Sequence, residues 1–336
     1  MQGYKTHVQS GILLNANEAS QNVDENIKQE ILEAISNLSL NRYPDTTCQE
    51  LHSLYADIMN VPSSWILSGN GSDQMLGFLI QYYLRENKTL YTLSPDFSMY
   101  DYYVGLNHSK IEKYETNQDG SFDVDAFISN GKDKKVDMIL FSNPNNPTGH
   151  AITKCEMKKI SEAFKDIPVI FDEAYMEFGK ESAIGLLKTY PMVFVCRTLS
   201  KAYGLAGIRC GFMLGQQVEK LRDLFIPYAL SSVTQTIASV VLKHADAYKD
   251  NMATIISERE RMYQEVKEFK KLTIYPSNAN FLFGRSEKKD LLLKMFKEKN
   301  ITIRNYEDAS FRITIGTKEE NEMVLDVLRR FEYANS

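Results

Sequence analysis

Four short apolar runs constrain this chain more than anything else in it: Met138-Ile-Leu-Phe141, Pro168-Val-Ile-Phe171, Met192-Val-Phe-Val195 and Gly211-Phe-Met-Leu214. Each is too short for a helix and apolar without a break, the pattern of a strand buried on both faces of a helix-covered sheet. Helical periodicity surrounds them. Asp24 to Leu38 places Ile27, Ile31, Leu32, Ile35 and Leu38 on one face, and Leu51, Leu54, Tyr55 and Ile58 make a second face. Thr153 with Glu156, and Thr317 with Glu320, have the spacing of a capping box and predict two further helix starts. The alternation predicts an α/β fold. The first three runs are each followed at once by polar residues: Ser-Asn-Pro-Asn-Asn-Pro, Asp-Glu-Ala-Tyr and Arg-Thr-Leu-Ser-Lys. In such sheets ligands bind beyond the carboxyl ends of the strands. Three strand ends are therefore expected to converge on one site.

A polar helical stretch from about Asp246 to Lys271 reads as a boundary. Beyond it, Ala279 to Phe283, Ile301 to Arg304 and Phe311 to Ile315 read as strands of a smaller α+β lobe. The expected division is a large domain over 36–245 and a small, discontinuous one over 1–35 and 246–336. The chain has 336 residues, enough to bury a core without disulfide or metal staples. Its 39 basic and 44 acidic side chains leave a formal charge of −5 with no basic run, which excludes a nucleic-acid surface. Cys48, Cys155, Cys196 and Cys210 form no C-x-x-C pair, and the five histidines show no ligand spacing, so no metal is expected. The segment Met1 to Leu14 has no apolar core of a signal peptide, and no apolar run approaches the roughly 20 residues of a membrane span. A cytoplasmic protein, away from membranes, is expected.

Four segments carry chemistry. In Thr198-Leu-Ser-Lys-Ala-Tyr-Gly-Leu-Ala-Gly-Ile-Arg209, Lys201 follows a buried strand among small residues, the placement a Schiff-base lysine needs. Arg209 offers a fork of donors to a phosphate, and Thr198 and Ser200 offer hydroxyls. In Phe171-Asp-Glu-Ala-Tyr175, a carboxylate at the end of an apolar strand is costly unless partnered, and a protonated pyridine nitrogen would partner Asp172. Tyr175 would reach the ring hydroxyl. Ser142-Asn-Pro-Asn-Asn-Pro-Thr-Gly149 is a proline-stiffened loop that aims Asn146 at a ring oxygen. Leu67-Ser-Gly-Asn-Gly-Ser-Asp-Gln74 leads a glycine turn into a helix, whose first amides at Gly71, Ser72 and Asp73 make an anion cradle. It matches neither a dinucleotide fingerprint nor a Walker P-loop.

In this order and spacing, the segments resemble the fold-type I pyridoxal 5′-phosphate (PLP) aminotransferases, and most closely the histidinol-phosphate aminotransferase family. Leu14-Asn-Ala-Asn-Glu18, Asn41-Arg-Tyr-Pro44, Gly69-Asn-Gly-Ser-Asp73, Ala206-Gly-Ile-Arg-Cys-Gly211 and Phe311-Arg-Ile-Thr-Ile-Gly316 add to the likeness, which runs from about residue 13 to the end. The resemblance implies a large domain with a mixed, mostly parallel sheet covered by helices, and a smaller α+β domain. It implies PLP as cofactor, linked to Lys201 as a Schiff base, with Asp172 on the pyridine nitrogen and Tyr175 and Asn146 on the ring hydroxyl. Phe97, in Ser94-Pro-Asp-Phe-Ser-Met-Tyr100, would stack on the ring. Ser72, Asp73, Thr198, Ser200 and Arg209 would hold the phosphate, joined by Tyr43 from the second subunit of a homodimer. On the substrate side, Arg312 would take a carboxylate. Arg304, with Tyr228 of the second subunit, would take the phosphate of histidinol phosphate, and Asn17 would lie close by.

Some positions depart from the family. Gln74 replaces the usual acidic residue, Ala-Ser-Gln-Asn follows Glu18 in place of a proline-rich stretch, and the N-terminal arm is short, with Tyr4 as the one candidate for its active-site tyrosine. The expected reaction is a ping-pong transamination between an amino donor and a 2-oxo acid acceptor, with Lys201 moving the proton. Alternatives are an aminotransferase for aromatic or other amino acids, a PLP-dependent threonine-phosphate decarboxylase, and a non-catalytic PLP-fold module. The last is disfavoured because it carries a DNA-binding domain for which this chain has no room.

Overall fold

A computed structural model describes residues 10–334. A first short strand, β1 (Ile12–Leu14), is followed by a seven-stranded sheet: β2 (Ile66–Asn70), β3 (Thr89–Ser94), β4 (Lys110–Glu115), β5 (Met138–Ser142), β6 (Val169–Asp172), β7 (Val193–Thr198) and β8 (Cys210–Leu214). Their order in the sheet is β2-β8-β7-β6-β5-β3-β4. Neighbours pair in parallel from β7 to β4, whereas β8 runs antiparallel to both β7 and β2. β8 is thus the one reversed strand. The four apolar runs are four of these strands, and β5 to β8 are buried throughout their length. The other three strands lack such a run. β4 reads Lys-Ile-Glu-Lys-Tyr-Glu, an edge strand whose charges discourage further pairing.

One parallel direction has a direct consequence for the site. Six strands end at the same edge, and the reversed β8 begins there. The polar residues after β2, β3, β5, β6 and β7, and Arg209 just before β8, are therefore carried to one place. Beneath that edge, Phe127, Phe141 and Phe171 pack edge to face, with centroids 5.9 and 5.4 Å apart along the series. Such pairs contribute about 1 kcal/mol each beyond their burial, and they seat the strand ends that bear Ser142 and Asp172.

The second sheet has β9 (Thr273–Ile274), β10 (Phe281–Arg285), β11 (Ile301–Asn305) and β12 (Ser310–Thr314), in the order β1-β11-β12-β10-β9. Both capping boxes form, at the helices Lys154–Ala163 and Lys318–Tyr333. The N-terminal residues divide between the sheets. β1 pairs with β11, whereas the helix Glu25–Ser36 lies on the helix Ser232–Lys243 beside the large sheet, and Glu30 pairs with His244 at 2.7 Å. Only Ile27 and Ile31 of that helix are fully buried. Leu32, expected on the same face, is 53% exposed, because a single docking surface takes a narrower stripe than the sequence offers. Ile58, expected on the buried face of its helix, is also exposed. Among the described residues no helix is long and apolar enough to cross a membrane.

Candidate active site

A cavity of about 920 Å³ opens where the large sheet's strand ends face the small sheet. Lys201, Asp172, Tyr175, Asn146, Phe97, Ser72, Asp73, Thr198, Ser200 and Arg209 all line it, as do Arg304 and Arg312. The residues singled out from four separate segments therefore meet in one place.

Lys201 follows β7 and points its amine at the carbonyl oxygen of Ala16, 3.0 Å away. Burial and then the nearby Arg312 guanidinium lower its pKa to about 8, because both disfavour the ammonium form. Asp172 is buried, accepts the Tyr100 hydroxyl at 2.9 Å and has no ion-pair partner among the described residues. Burial pushes its carboxyl up to about 7 against the pull of the Tyr100 hydrogen bond. Tyr175 accepts at its hydroxyl from Asn17 Nδ2 at 2.9 Å and from Asn146 Nδ2 at 3.5 Å.

The anion cradle is built by close approach. Gly71 opens the helix Gly71–Tyr83 with φ +79°, and a Cβ there would lie 2.5 Å from Arg209 Nη2. A Cβ on Gly211 would lie 2.1 Å from the backbone nitrogen of Ser72. Two glycines thus let the reversed strand press against the helix start. Arg209 pairs with Asp73 at 3.0 Å and its Nη1 lies 3.4 Å from Ser200 Oγ, while Thr198 Oγ1 donates to Ser200 Oγ at 2.9 Å. Gln74 Oε1 accepts from Asn70 N at 2.6 Å, so an amide oxygen does what a carboxylate would at that position.

On the small-sheet side, Phe283, Arg312 and Arg304 are direct cross-strand neighbours on β10, β12 and β11, which puts their side chains on one face. Arg312 is buried. It donates to Asn146 Oδ1 and to Asn15 O at 2.9 Å, and its Nε has no hydrogen-bond partner among the described residues. Arg304 stacks over Tyr306 at 5.8 Å.

Several expected residues sit elsewhere. Asn17 is fully buried and does not reach the cavity; it ties Tyr175 to Thr314, donating its N–H to Thr314 Oγ1 at 3.0 Å. Gly71 lies behind the cavity wall, and its contribution is conformational. Tyr43 and Tyr228 stack on each other at 4.5 Å on the outer surface, 81% and 47% exposed. Tyr4 lies outside the described residues. Two residues escaped the sequence reading: Tyr100, which donates to Asp172, and Asp96, which binds Ser142 across two loops. The signal was available for Asp96, an acid just past a strand end, but β3 has no continuous apolar run to mark that end.

The residues fit a phosphorylated pyridine. Among the described residues Asp172 is a buried acceptor lacking a cation and Arg312 Nε a buried donor lacking an acceptor, and the glycine-shaped cradle gathers a helix start, two hydroxyls and a guanidinium around space for a dianion. Fold and site together define a PLP-dependent transferase of fold type I. The chain belongs to the class I and II aminotransferases, whose family model matches residues 9–328. It is 32% identical over 328 residues to a histidinol-phosphate aminotransferase of Clostridium novyi, covering 96% of this chain and 92% of that protein. It is 34% identical over 325 residues to one of Pyrococcus furiosus, covering 95% and 92%. The crystal structure of histidinol-phosphate aminotransferase from Sinorhizobium meliloti in complex with pyridoxal 5′-phosphate superposes with a TM-score of 0.85 at 20% identity, covering 96% of this chain and 91% of that one.

Proposed function

We propose that this aminotransferase moves the amino group of L-histidinol phosphate to 2-oxoglutarate, as a cytoplasmic homodimer with a large domain and a discontinuous small one. The observation that carries the substrate reading is the arginine pair on the small sheet. Arg312 lies deep, within reach of Asn146, and Arg304 is its neighbour on the next strand. Two guanidiniums side by side suit substrates that carry an anionic group, a phosphate in one half-reaction and carboxylates in the other. The identity to curated histidinol-phosphate aminotransferases over nearly the whole chain supports the same substrate.

Each of these residues has a part in this proposal. PLP, when bound, supplies an electron-withdrawing ring that stabilises negative charge on the amino-bearing carbon. Lys201 would hold the cofactor through its amine and would serve as the base and acid that moves the proton of the amino-bearing carbon. Asp172 would keep the ring nitrogen protonated, Tyr175 and Asn146 would hold the ring oxygen, and Phe97 would cover one ring face. Ser72, Asp73, Thr198, Ser200 and Arg209 would anchor the phosphate, with Tyr43 of a second copy. The exposed Tyr43 and Tyr228 pair lies near the equally exposed Leu40, Leu224 and Ile226 in sequence, apolar surface that a second copy would cover.

The test is an absorbance titration of the purified holoprotein. L-histidinol phosphate alone is expected to abolish the visible band of the lysine-linked cofactor, and 2-oxoglutarate to restore it. A band that ignores histidinol phosphate but answers to an aromatic amino acid overturns the substrate. Carbon dioxide release from threonine phosphate without an acceptor marks the decarboxylase instead.

Two further results are expected. Only the neutral amine of Lys201 attacks an aldehyde, and a lowered pKa enlarges the neutral share at a given pH. The rate of PLP capture by the apoprotein should therefore rise with pH and level off above about 8. In stopped-flow absorbance, a midpoint near the ordinary 10.5 would contradict this. Arg312→Ala should raise KM for 2-oxoglutarate by about 10- to 100-fold, the scale of one lost charge-assisted interaction. Half-reaction kinetics with the pyridoxamine form measure it.

A further inference from the structure

Asp96 is an acid that the proposed chemistry does not use. It follows β3, lines the cavity and has no ion-pair partner among the described residues. Its carboxylate is nonetheless fully engaged. Oδ1 accepts from Phe97 N at 2.7 Å and from the Ser142 hydroxyl, and Oδ2 accepts from Ser142 N at 3.1 Å. Ser142 Oγ in turn accepts from Asn146 N at 2.9 Å. Burial, with the neighbouring Asp172 adding to it, pushes the Asp96 carboxyl up to about 8.

These contacts form a continuous chain across two strand ends. One end is Phe97, whose backbone Asp96 caps. The other is Asn146, whose side chain meets both Tyr175 and Arg312. A second tie between the same loops runs from Asn145 Nδ2 to Pro95 O at 3.2 Å, but it reaches neither of those two residues.

We infer that Asp96 is a positioning residue of the aminotransferase site: through Ser142 its carboxyl locks the loop bearing Phe97 to the loop bearing Asn146, and so fixes where the cofactor ring lies. This rests on the reading that PLP occupies the cavity at Lys201. Phe97 would hold the face of the ring and Asn146 its edge, and the Asp96–Ser142 link is the tie that runs directly between those two residues. Asp96→Ala removes all three acceptor contacts at once. Ser142→Ala removes a single hydroxyl, the middle of the chain, and leaves the strand backbone intact.

The experiment measures PLP dissociation and the visible circular dichroism of the bound cofactor in wild type, Asp96→Ala and Ser142→Ala, together with kcat and KM. Loss of at least two hydrogen bonds in each variant predicts a PLP Kd raised by about tenfold. The visible dichroism, which reports the tilt of the ring, should fall while protein-wide circular dichroism is unchanged, and kcat should fall more than KM rises. A Ser142→Ala protein with Kd within about twofold of wild type and unchanged visible dichroism overturns the inference, whether or not Asp96→Ala folds. A wild-type protein that shows no visible band with PLP sinks the reading of the cavity, and the inference with it, and is told apart from the previous result by the wild-type spectrum alone.

Discussion

Lys201→Ala is expected to lower kcat for transamination by on the order of 10⁴-fold, with the fold left standing. The reasoning starts from where the amine lies. Its one hydrogen bond is to the carbonyl of Ala16, and its side chain forms part of the cavity wall. Removing it costs the structure little, since a lysine whose pKa is lowered to about 8 is held in a setting that disfavours its charged form. A truncation to alanine relieves that burden and leaves a carbonyl that water in the cavity can reach. The chemistry has no such substitute. Among the described residues no other primary amine lines the cavity, so the proton that must leave the amino-bearing carbon has no comparable base there. The variant should still bind PLP through the cradle of Ser72, Ser200 and Arg209, without the visible band of the lysine-linked form. Steady-state rates, the visible spectrum and the thermal unfolding midpoint together decide the matter. Turnover at the wild-type rate would refute the assignment of Lys201. A large drop in unfolding midpoint would show that the lysine is structural as well.

How much of this could be read from residues alone depends on a simple rule about strand ends. Asn146, Asp172 and Lys201 were legible because each follows an unbroken apolar run, and a polar residue at such a point is brought to the sheet edge with its neighbours. Arg209 was legible for the mirror reason, since it precedes a run, and the reversal of β8 brings it to the same edge. Asp96 obeys the same rule but follows Thr-Leu-Tyr-Thr-Leu-Ser, whose threonines and tyrosine hide a strand that is in fact almost wholly buried. Tyr100 was hidden in a cluster of tyrosines, and its place one helical turn beyond Phe97 acquires meaning only once Asp172 is seen beside it. Asn17 was read one layer too close to the substrate. Its backbone adopts φ 54°, and its amide is consumed by Thr314 and Tyr175, so it acts on the site through the tyrosine. Tyr43 and Tyr228 stack on each other on the outer surface, and the roles that the family resemblance implies for them depend on the proposed second copy.

Arg197→Ala is expected to destabilise the protein by about 3–5 kcal/mol, the cost of stranding a buried charge. Arg197 is buried in β7, three residues before Ser200, and donates from Nε to Glu173 at 2.9 Å, from Nη1 to Glu177 at 2.9 Å and from Nη2 to Ser182 Oγ at 3.1 Å. Glu173 is itself fully buried and directly follows Asp172. One guanidinium therefore joins the strand end that carries Asp172 to the strand that leads to Lys201, and its single positive charge is shared between two carboxylates, Glu173 and Glu177. Burial holds the Glu173 carboxyl above its ordinary value even with Arg197 in place, and Arg197 is what pulls it back down. Without the arginine, that value rises further. A carboxyl whose folded-state pKa exceeds its unfolded one binds more protons when folded, so its contribution to stability falls as pH rises through the interval between them. The deficit of the variant should thus be largest at neutral pH and should shrink as pH is lowered toward the ordinary carboxylate range. Chemical denaturation of both proteins at several pH values measures this. A deficit that is the same at every pH would mean that lost packing, and not the stranded charge of Glu173, dominates. If the variant folds at low pH, its PLP affinity there separates the two roles of the cluster: weak binding in a folded protein would show that Arg197 also sets the spacing of Asp172 and Lys201 across β6 and β7.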